Sequence, residues 1–496
     1  MDWIIPIFVV IPLGLAFILP IIGKNRRVGD VLTNLATLAL LCFAIYSIKF
    51  AKSTIVYKLG NWQPVKGIPI GIYMVLDGLS IFMLVTVNLV AFMCTLYSIN
   101  YMEKFTDKTR YYTLFLLMLA GMNGVILTGD FFNLFVFLEI AAIASYALVA
   151  FGTEAEELEA AFKYQVMGSI GSAFILLGIT LLYSYTGTLN MADVSRVLIT
   201  KGVSKLVIFV SVLFIVGFGL KSAIMPFHMW LPDAHPSAPA PISAMLSGVL
   251  IKTLGIYALV RVFFNVIGTN PVILNTIIVL SIISMVLGIL LAMVQRDLKR
   301  LLAYSSISHV GLILLGVGLG TPLGMLGGLF HLLNHAVFKS LLFLNSGAIV
   351  YSAGTRDLDN MGGLRNNMPV TADTSLVASM AISGIPPFNG FWSKLLIIFA
   401  CVEAGRPWLA VFAIVASIVT IGVFMKLQKQ AFFGESKVDI SKIKEVPGFM
   451  VFAMIVLAIL CVVLGLILLP KLRPIFLNPV VDILKNGLEY SVRVLR

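Results

Sequence analysis

Apolar residues run through this chain in blocks of about 20, the length that carries a helix across a bilayer, joined by short polar connections. Fourteen blocks qualify: 4–23, 31–50, 76–98, 112–129, 131–151, 164–185, 206–226, 242–264, 272–293, 301–319, 323–350, 370–400, 408–432 and 449–469. The pattern predicts an all-α integral membrane protein. Connections 129–131 and 320–323 are so short that the spans beside them must be antiparallel. No polar stretch has the length of a separate soluble domain. Pro474 to Arg496 is too polar to span and reads as an amphipathic helix at the membrane surface. Met1 to Ile22 carries no basic leader or small-residue cleavage site, so it reads as a retained first span.

Composition supports this. Hydrophobic residues make up 59% and charged residues 12%, against about 25% charged in soluble domains. The net charge is +12. Most Lys and Arg sit in loops, so their distribution reads as topology and not as a nucleic-acid surface. Loops 24–30, 98–111, 152–163, 294–300, 351–368 and 426–448 hold 17 Lys and Arg, and the alternate set before the tail, Arg261 included, holds nine. Basic loops stay in the cytoplasm; both termini are therefore expected on the outer side of the cell membrane. Cys42, Cys94, Cys401 and Cys461 lie far apart in or beside apolar blocks, without a CxxC pair. They predict apolar packing and no metal cluster.

Charges inside spans cost about 2.5–3.5 kcal/mol each on insertion scales and need a reason. Eight ionisable residues fall there: Glu139, Lys221, Lys252, His309, His331, His335, Lys339 and Lys394. Glu139 and His309 are 170 residues apart, and Lys221 and Lys394 are 173 apart. That spacing predicts two units of five spans, which an odd number of crossings inverts relative to one another. The chain then divides into 1–111 (spans one to three), 112–264 (spans four to eight), 265–432 (spans nine to thirteen) and 433–496 (span fourteen and tail). Spans seven and twelve carry helix breakers, Pro226 with Pro232, Pro236, Pro239 and Pro241, and Gly384-Ile-Pro386-Pro387-Phe-Asn-Gly390. Proline frees backbone carbonyls that must be satisfied at membrane depth by protein or water.

Lys221-Ser-Ala-Ile-Met-Pro226-Phe-His228-Met-Trp230-Leu-Pro232-Asp233-Ala-His235, followed by Ala238-Pro239 and Ser243, closely resembles the signature of the antiporter-like membrane subunits. Phe132 to Glu139, Lys299 to His309, His331-Leu-Leu-Asn334-His335-Ala-Val-Phe-Lys339 and Gly384 to Lys394 support it. The family includes subunits of Mrp-type cation/proton antiporters, of respiratory complex I and of membrane-bound hydrogenases. The resemblance covers roughly residues 70–430. It implies fourteen spans, the inverted repeat, other membrane subunits as partners, and H+ with Na+ as a second candidate ion. It also implies proton transfer from the Glu139–Lys221 pair through Lys252, His309 and His335 to Lys394. Some members carry Glu at the last position; Lys394, the chain length and the short C-terminus are nearer the D-type subunits of Mrp antiporters.

The residue types suit that chemistry. Burial favours the neutral form of a lysine and an opposite charge beside it favours the charged form, so opening or closing a buried ion pair gates proton release. Lysine adapts in this way and arginine does not; all four embedded cations are Lys, Arg261 being counted with a loop. His331, His335 and Lys339 recur every four residues, each about 40° further round one helix face, and histidine titrates near neutrality. Glu154, Glu156, Glu157 and Glu159 form an acidic run in the loop before span six, read as a solvated face with a proton-collecting surface as the alternative. No redox cofactor motif is present. Haem on membrane histidines is disfavoured by Lys339 on the face of His331 and His335, and a stand-alone solute carrier is the remaining alternative.

Overall fold

The computed structural model describes residues 2–22, 26–65, 67–105, 107–435 and 443–496; parts of the charged loops, at 23–25, 66, 106 and 436–442, lie outside the described residues. Among the described residues, thirteen helices are long and apolar enough to cross a membrane, from Ile4–Ile22 to Gly448–Leu468. The twelfth predicted span is absent from that count because it is two helices, Pro369–Ser383 and Asn389–Glu403. Each reaches only about 22 Å, short of the bilayer core. Together they supply the fourteenth crossing.

Span five is Phe131–Val149, span six Ala155–Thr186, span eight Ala240–Ile267, span nine Pro271–Met293, span ten Leu298–Gly318, span eleven Pro322–Ala353 and span thirteen Pro407–Phe433. Span seven is Lys205–Ser222 followed by the short helix Leu231–Ser237. Aspartates cap several starts: Asp107, Asp130 and Asp297 each accept the backbone N–H three residues on. In span one, Pro12 donates no hydrogen bond to the carbonyl of Phe8, and Asn123 Nδ2 donates to it at 3.0 Å instead. Gly316 meets Gly324 and Gly328 so closely that a Cβ on it would lie 2.8 Å from Gly328 Cα. Spans ten and eleven thus pack backbone to backbone, as the glycine spacing suggests.

Four features differ from the expectations. The connection after span two is a two-stranded antiparallel ribbon, Ile55–Lys58 with Tyr73–Leu76, so the fold is not wholly helical; its β-branched and aromatic residues favour strands. Span six begins at Ala155, which puts the acidic run on its first turns and not in a loop. Glu154 and Glu157 form a capping box there, and carboxylates suit a helix N-terminus. The tail does not simply lie at the surface: Asn478–Lys485 packs inward through buried Pro479, Val480, Ile483 and Leu484. Lastly, Arg261 is not a loop residue. It is 4% exposed inside span eight and pairs with fully buried Asp77 through two contacts of 2.7 and 2.8 Å. The embedded cations are therefore not all lysine. Lys108 and Lys299 are buried as well.

One arrangement occurs twice. Spans five and ten begin 167 residues apart, at Phe131 and Leu298. Spans six and eleven are both 32 residues long and also begin 167 apart, at Ala155 and Pro322. The backbone bridges Asp130 with Asn190 and Asp297 with Asp357 have the same offset. Glu139 and His309 are 170 apart, three more than this offset; Lys221 precedes the break in its span, and Lys394 follows the break in the other.

Candidate functional site

The first helix of span seven stops at Ser222 because Ala223 is left-handed (φ 55°) and Pro226 follows. Lys221 therefore stands in its last turn. Its Nζ lies 3.5 Å from Glu139 Oε1 and donates to Tyr146 Oη at 3.4 Å. Ser172 Oγ of span six donates to the same Glu139 oxygen. The Lys221 side chain is 3% exposed and that of Glu139 26%, so the carboxylate is the open member of the pair. The break is filled by Trp230, whose indole N–H donates to the Leu220 carbonyl at 3.0 Å. Its ring stacks on Tyr164 at 4.2 Å, and Tyr164 meets Tyr146 edge-on at 4.5 Å.

Lys252 is fully buried in span eight and donates to the Ser247 carbonyl. A hydroxyl chain leads on from there. Ser247 Oγ lies 2.7 Å from Ser306 Oγ, which donates to the Leu302 carbonyl at 2.9 Å. That carbonyl also accepts from Lys339 Nζ at 2.8 Å, and Lys339 donates in addition to Ser305. Spans eight, ten and eleven are thus tied by polar contacts between the two lysines, in which the carbonyls of Ser247 and Leu302 only accept.

The histidines form a third group. His309 Nδ1 lies 2.9 Å from His331 Nε2, and His331 Nδ1 lies 2.9 Å from Ser393 Oγ beside Lys394. His335 packs 5.4 Å from His309 by ring centroid, with neither nitrogen hydrogen-bonded. Lys394 Nζ donates to the Ser383 carbonyl across the break at 3.2 Å. His309 and Lys394 line one cavity of about 10 Å³, the lower limit for a water.

The eight predicted residues thus fall into three groups. No hydrogen bond among the described residues joins Lys221 to Lys252, although the two spans touch where Gly255 packs on Ser222. Sequence reasoning missed Ser172, Tyr146, Ser247, Ser305, Ser306 and Ser393. Serines bond their own helix carbonyls in many spans, so nothing in the sequence distinguishes these. Only Ser393, next to Lys394, carried a positional hint. Among the described residues no cluster of three or more His, Cys, Asp or Glu could hold a metal ion.

Residues 128–420 match the family model described as NADH:quinone oxidoreductase/Mrp antiporter, TM. The chain belongs to that family. Residues 62–112 also match the N-terminal model of complex I chain 5. The D-type subunit of the Na(+)/H(+) antiporter of Alkalihalophilus pseudofirmus is 33% identical, over 92% of this chain and 93% of that protein. A chain in the structure of the Mrp complex from Dietzia sp. superimposes with a TM-score of 0.92 at 27% identity, covering all of both chains. One in the membrane-bound sulfane sulfur reductase, an archaeal respiratory membrane complex, gives 0.90 at 32% identity and the same coverage. The three groups of buried residues therefore lie in an antiporter-family subunit, and residues 128–420 contain all eight.

Proposed function

We propose that this chain is a proton-translocating, antiporter-like subunit of a multisubunit membrane complex, most like the D-type subunits of Mrp antiporters, with Na+ as the second candidate ion. The observation that carries the reading is buried Lys221 paired at 3.5 Å with half-buried Glu139, in an interrupted span. Burial alone favours the uncharged lysine, and the neighbouring carboxylate favours the charged one. A lengthening of the pair releases a proton from Lys221, and a shortening restores it. Lys252 and Lys339 with the hydroxyls of Ser247, Ser305 and Ser306 between them, and the His309–His331–Ser393 contacts, line a polar route toward Lys394, along which water carries the proton past the accepting carbonyls of Ser247 and Leu302. Lys394 is the terminal group of this reading.

The recurring 167-residue offset supports treating residues 112–264 and 265–432 as the two inverted units. With buried Arg261, Lys108 and Lys299 set aside, the outer loops before the tail hold eight cations and the others 15. That difference supports outer-side termini and a cytoplasmic loop 351–368. Labelling single cysteines in that loop and in the ribbon after span two tests the assignment; both reacting from one side contradicts it.

The second reading keeps the same proton steps and places the subunit in an ion-pumping oxidoreductase. The likeness to a chain of the sulfane sulfur reductase complex favours it, and the redox site would then belong to partner subunits. Purifying the native complex and identifying the partners separates the two: antiporter subunits support the first, and subunits with iron–sulfur clusters support the second. A chain that isolates alone and shows no ΔpH activity with any partner contradicts both.

A further inference from the structure

The short helix Leu231–Ser237, which follows the break in span seven, is gripped in its first turn and at its end by charges from both units. Asp233 receives two cations at once. Lys163 Nζ of span six lies 3.1 Å from its Oδ2, and Arg300 Nη1 of span ten lies 3.0 Å from its Oδ1. The carbonyls that end the helix are held too: Lys299 Nζ donates to Ala238 at 2.8 Å and to Pro236 at 3.4 Å, and Arg356 Nη1 donates to Pro236 at 3.3 Å. Arg356 in turn pairs with Glu156 of span six at 3.1 Å and with Asp297, the cap of span ten, at 2.6 Å. Glu159 shares Lys163 with Asp233, at 2.8 Å. Beside this collar lies a polar cavity of about 290 Å³, lined among others by Glu156, Glu159, Lys163, Asp233, Arg300 and Arg356. It opens on the face that the basic loops assign to the cytoplasm.

We infer that Asp233 is a positioning residue that latches this half-helix between the two units and so sets access from the cavity to the break beside Lys221. The inference rests on the proposed transport function, and the collar itself does not. Span six carries Lys163, then Tyr164 stacked on Trp230 in the break, then Ser172 on Glu139. Any shift of the half-helix against span six is therefore felt at the Glu139–Lys221 pair. Span ten carries Arg300 and, nine residues on, His309. One carboxylate thus ties the helix that positions the first pair to the helix that bears the histidine contact of the second unit. Exposed ion pairs contribute little singly. Here the carbonyls of Pro236 and Ala238 keep their own donors, Arg356 and Lys299, while Asp233 alone receives Lys163 and Arg300, so its release loosens the first turn of the half-helix from spans six and ten. That is the behaviour of a hinged gate, whose moving part is short and bounded by a break.

The test uses two readouts on the assembled complex in proteoliposomes, in a background without the four native cysteines. Ala238→Cys places a thiol at a position that is 1% exposed, at the end of the gripped helix. Its reaction with a water-soluble maleimide reports opening whether or not the chain transports ions. Asp233→Asn should raise the labelling rate about tenfold and speed the passive decay of an imposed ΔpH. Asp233→Glu, which keeps the carboxylate, should restore both toward wild type. Unchanged labelling in Asp233→Asn overturns the latch. Faster labelling with unchanged ΔpH decay overturns its role in access. Faster ΔpH decay that Asp233→Glu does not reverse also overturns it, since loss of packing and not of the ion pairs would then be the cause.

Discussion

His309 and His331 face each other across spans ten and eleven with 2.9 Å between Nδ1 and Nε2. A contact of that length needs one proton between the two nitrogens, because two N–H groups cannot point at each other. The pair therefore shares a proton and acts as one unit. Residues that act as a unit are non-additive on mutation. His309→Ala and His331→Ala should each lower proton transport strongly, and the double variant should be no worse than the more severe single one. Initial rates of ΔpH formation at equal assembly provide the check; multiplied losses would mean two independent roles.

Glu139 and Ser172 supply the next expectation. Glu139→Ala removes the partner that holds Lys221 charged and should reduce transport by about a hundredfold, the lower range for loss of a proton-transfer group. Glu139→Asp keeps the charge and should retain part of the rate. Ser172→Ala removes the hydroxyl that fixes the carboxylate and should cost less than Glu139→Ala. Rates for the three variants, normalised to assembled complex, test this order. Aspartate no better than alanine would remove the charge-pair account.

Lys394 separates transfer from packing. Its ammonium reaches the Ser383 carbonyl freed by the break, and it shares a small cavity with His309. Lys394→Glu should keep some transport with an altered pH profile, because glutamate still carries a proton. Lys394→Met matches the volume but cannot, and should be inactive. A purely structural lysine predicts the reverse order, methionine tolerated and glutamate worst.

Asp77 and Arg261 are a structural pair by the same reasoning. Both are buried, bonded to each other twice, and capped by Tyr257 and Tyr490 over the guanidinium at 5.5 and 5.4 Å. Breaking such a pair leaves a lone buried charge, at about 3–5 kcal/mol. Asp77→Asn should lower the thermal unfolding temperature of the purified protein markedly. Whatever complex assembles should still transport. A stable but inactive variant would move the pair into the proton path.

The spans, their breaks and the eight buried ionisable residues were legible because each depends on a single strong signal: length of apolar run, proline, or charge in apolar sequence. The grouping of those residues was not. Charge spacing pairs Glu139 with His309 at 170 residues, whereas helix starts repeat at 167. Charge spacing follows function, and helix starts follow the fold. Arg261 reads as a loop residue because it lies near the end of an apolar block, where a cation usually reaches water; its partner Asp77 is 184 residues away and invisible to any local pattern. The serine path was hidden for another reason. A serine that bonds across to another span, as Ser247 and Ser306 do, and one that only bonds its own helix look alike in sequence.

The central claim is that Lys221 exchanges its proton during transport. The most direct measurement is ΔpH formation by proteoliposomes containing the assembled complex with Lys221→Ala, at a level of incorporation equal to wild type. Lys221 is 6% exposed, and its partner Glu139 is 26% exposed and keeps Ser172, so loss of the amine leaves no sealed lone charge and assembly should stay intact. The account predicts that the initial rate falls to the level of empty vesicles. A wild-type rate in the assembled variant would contradict it.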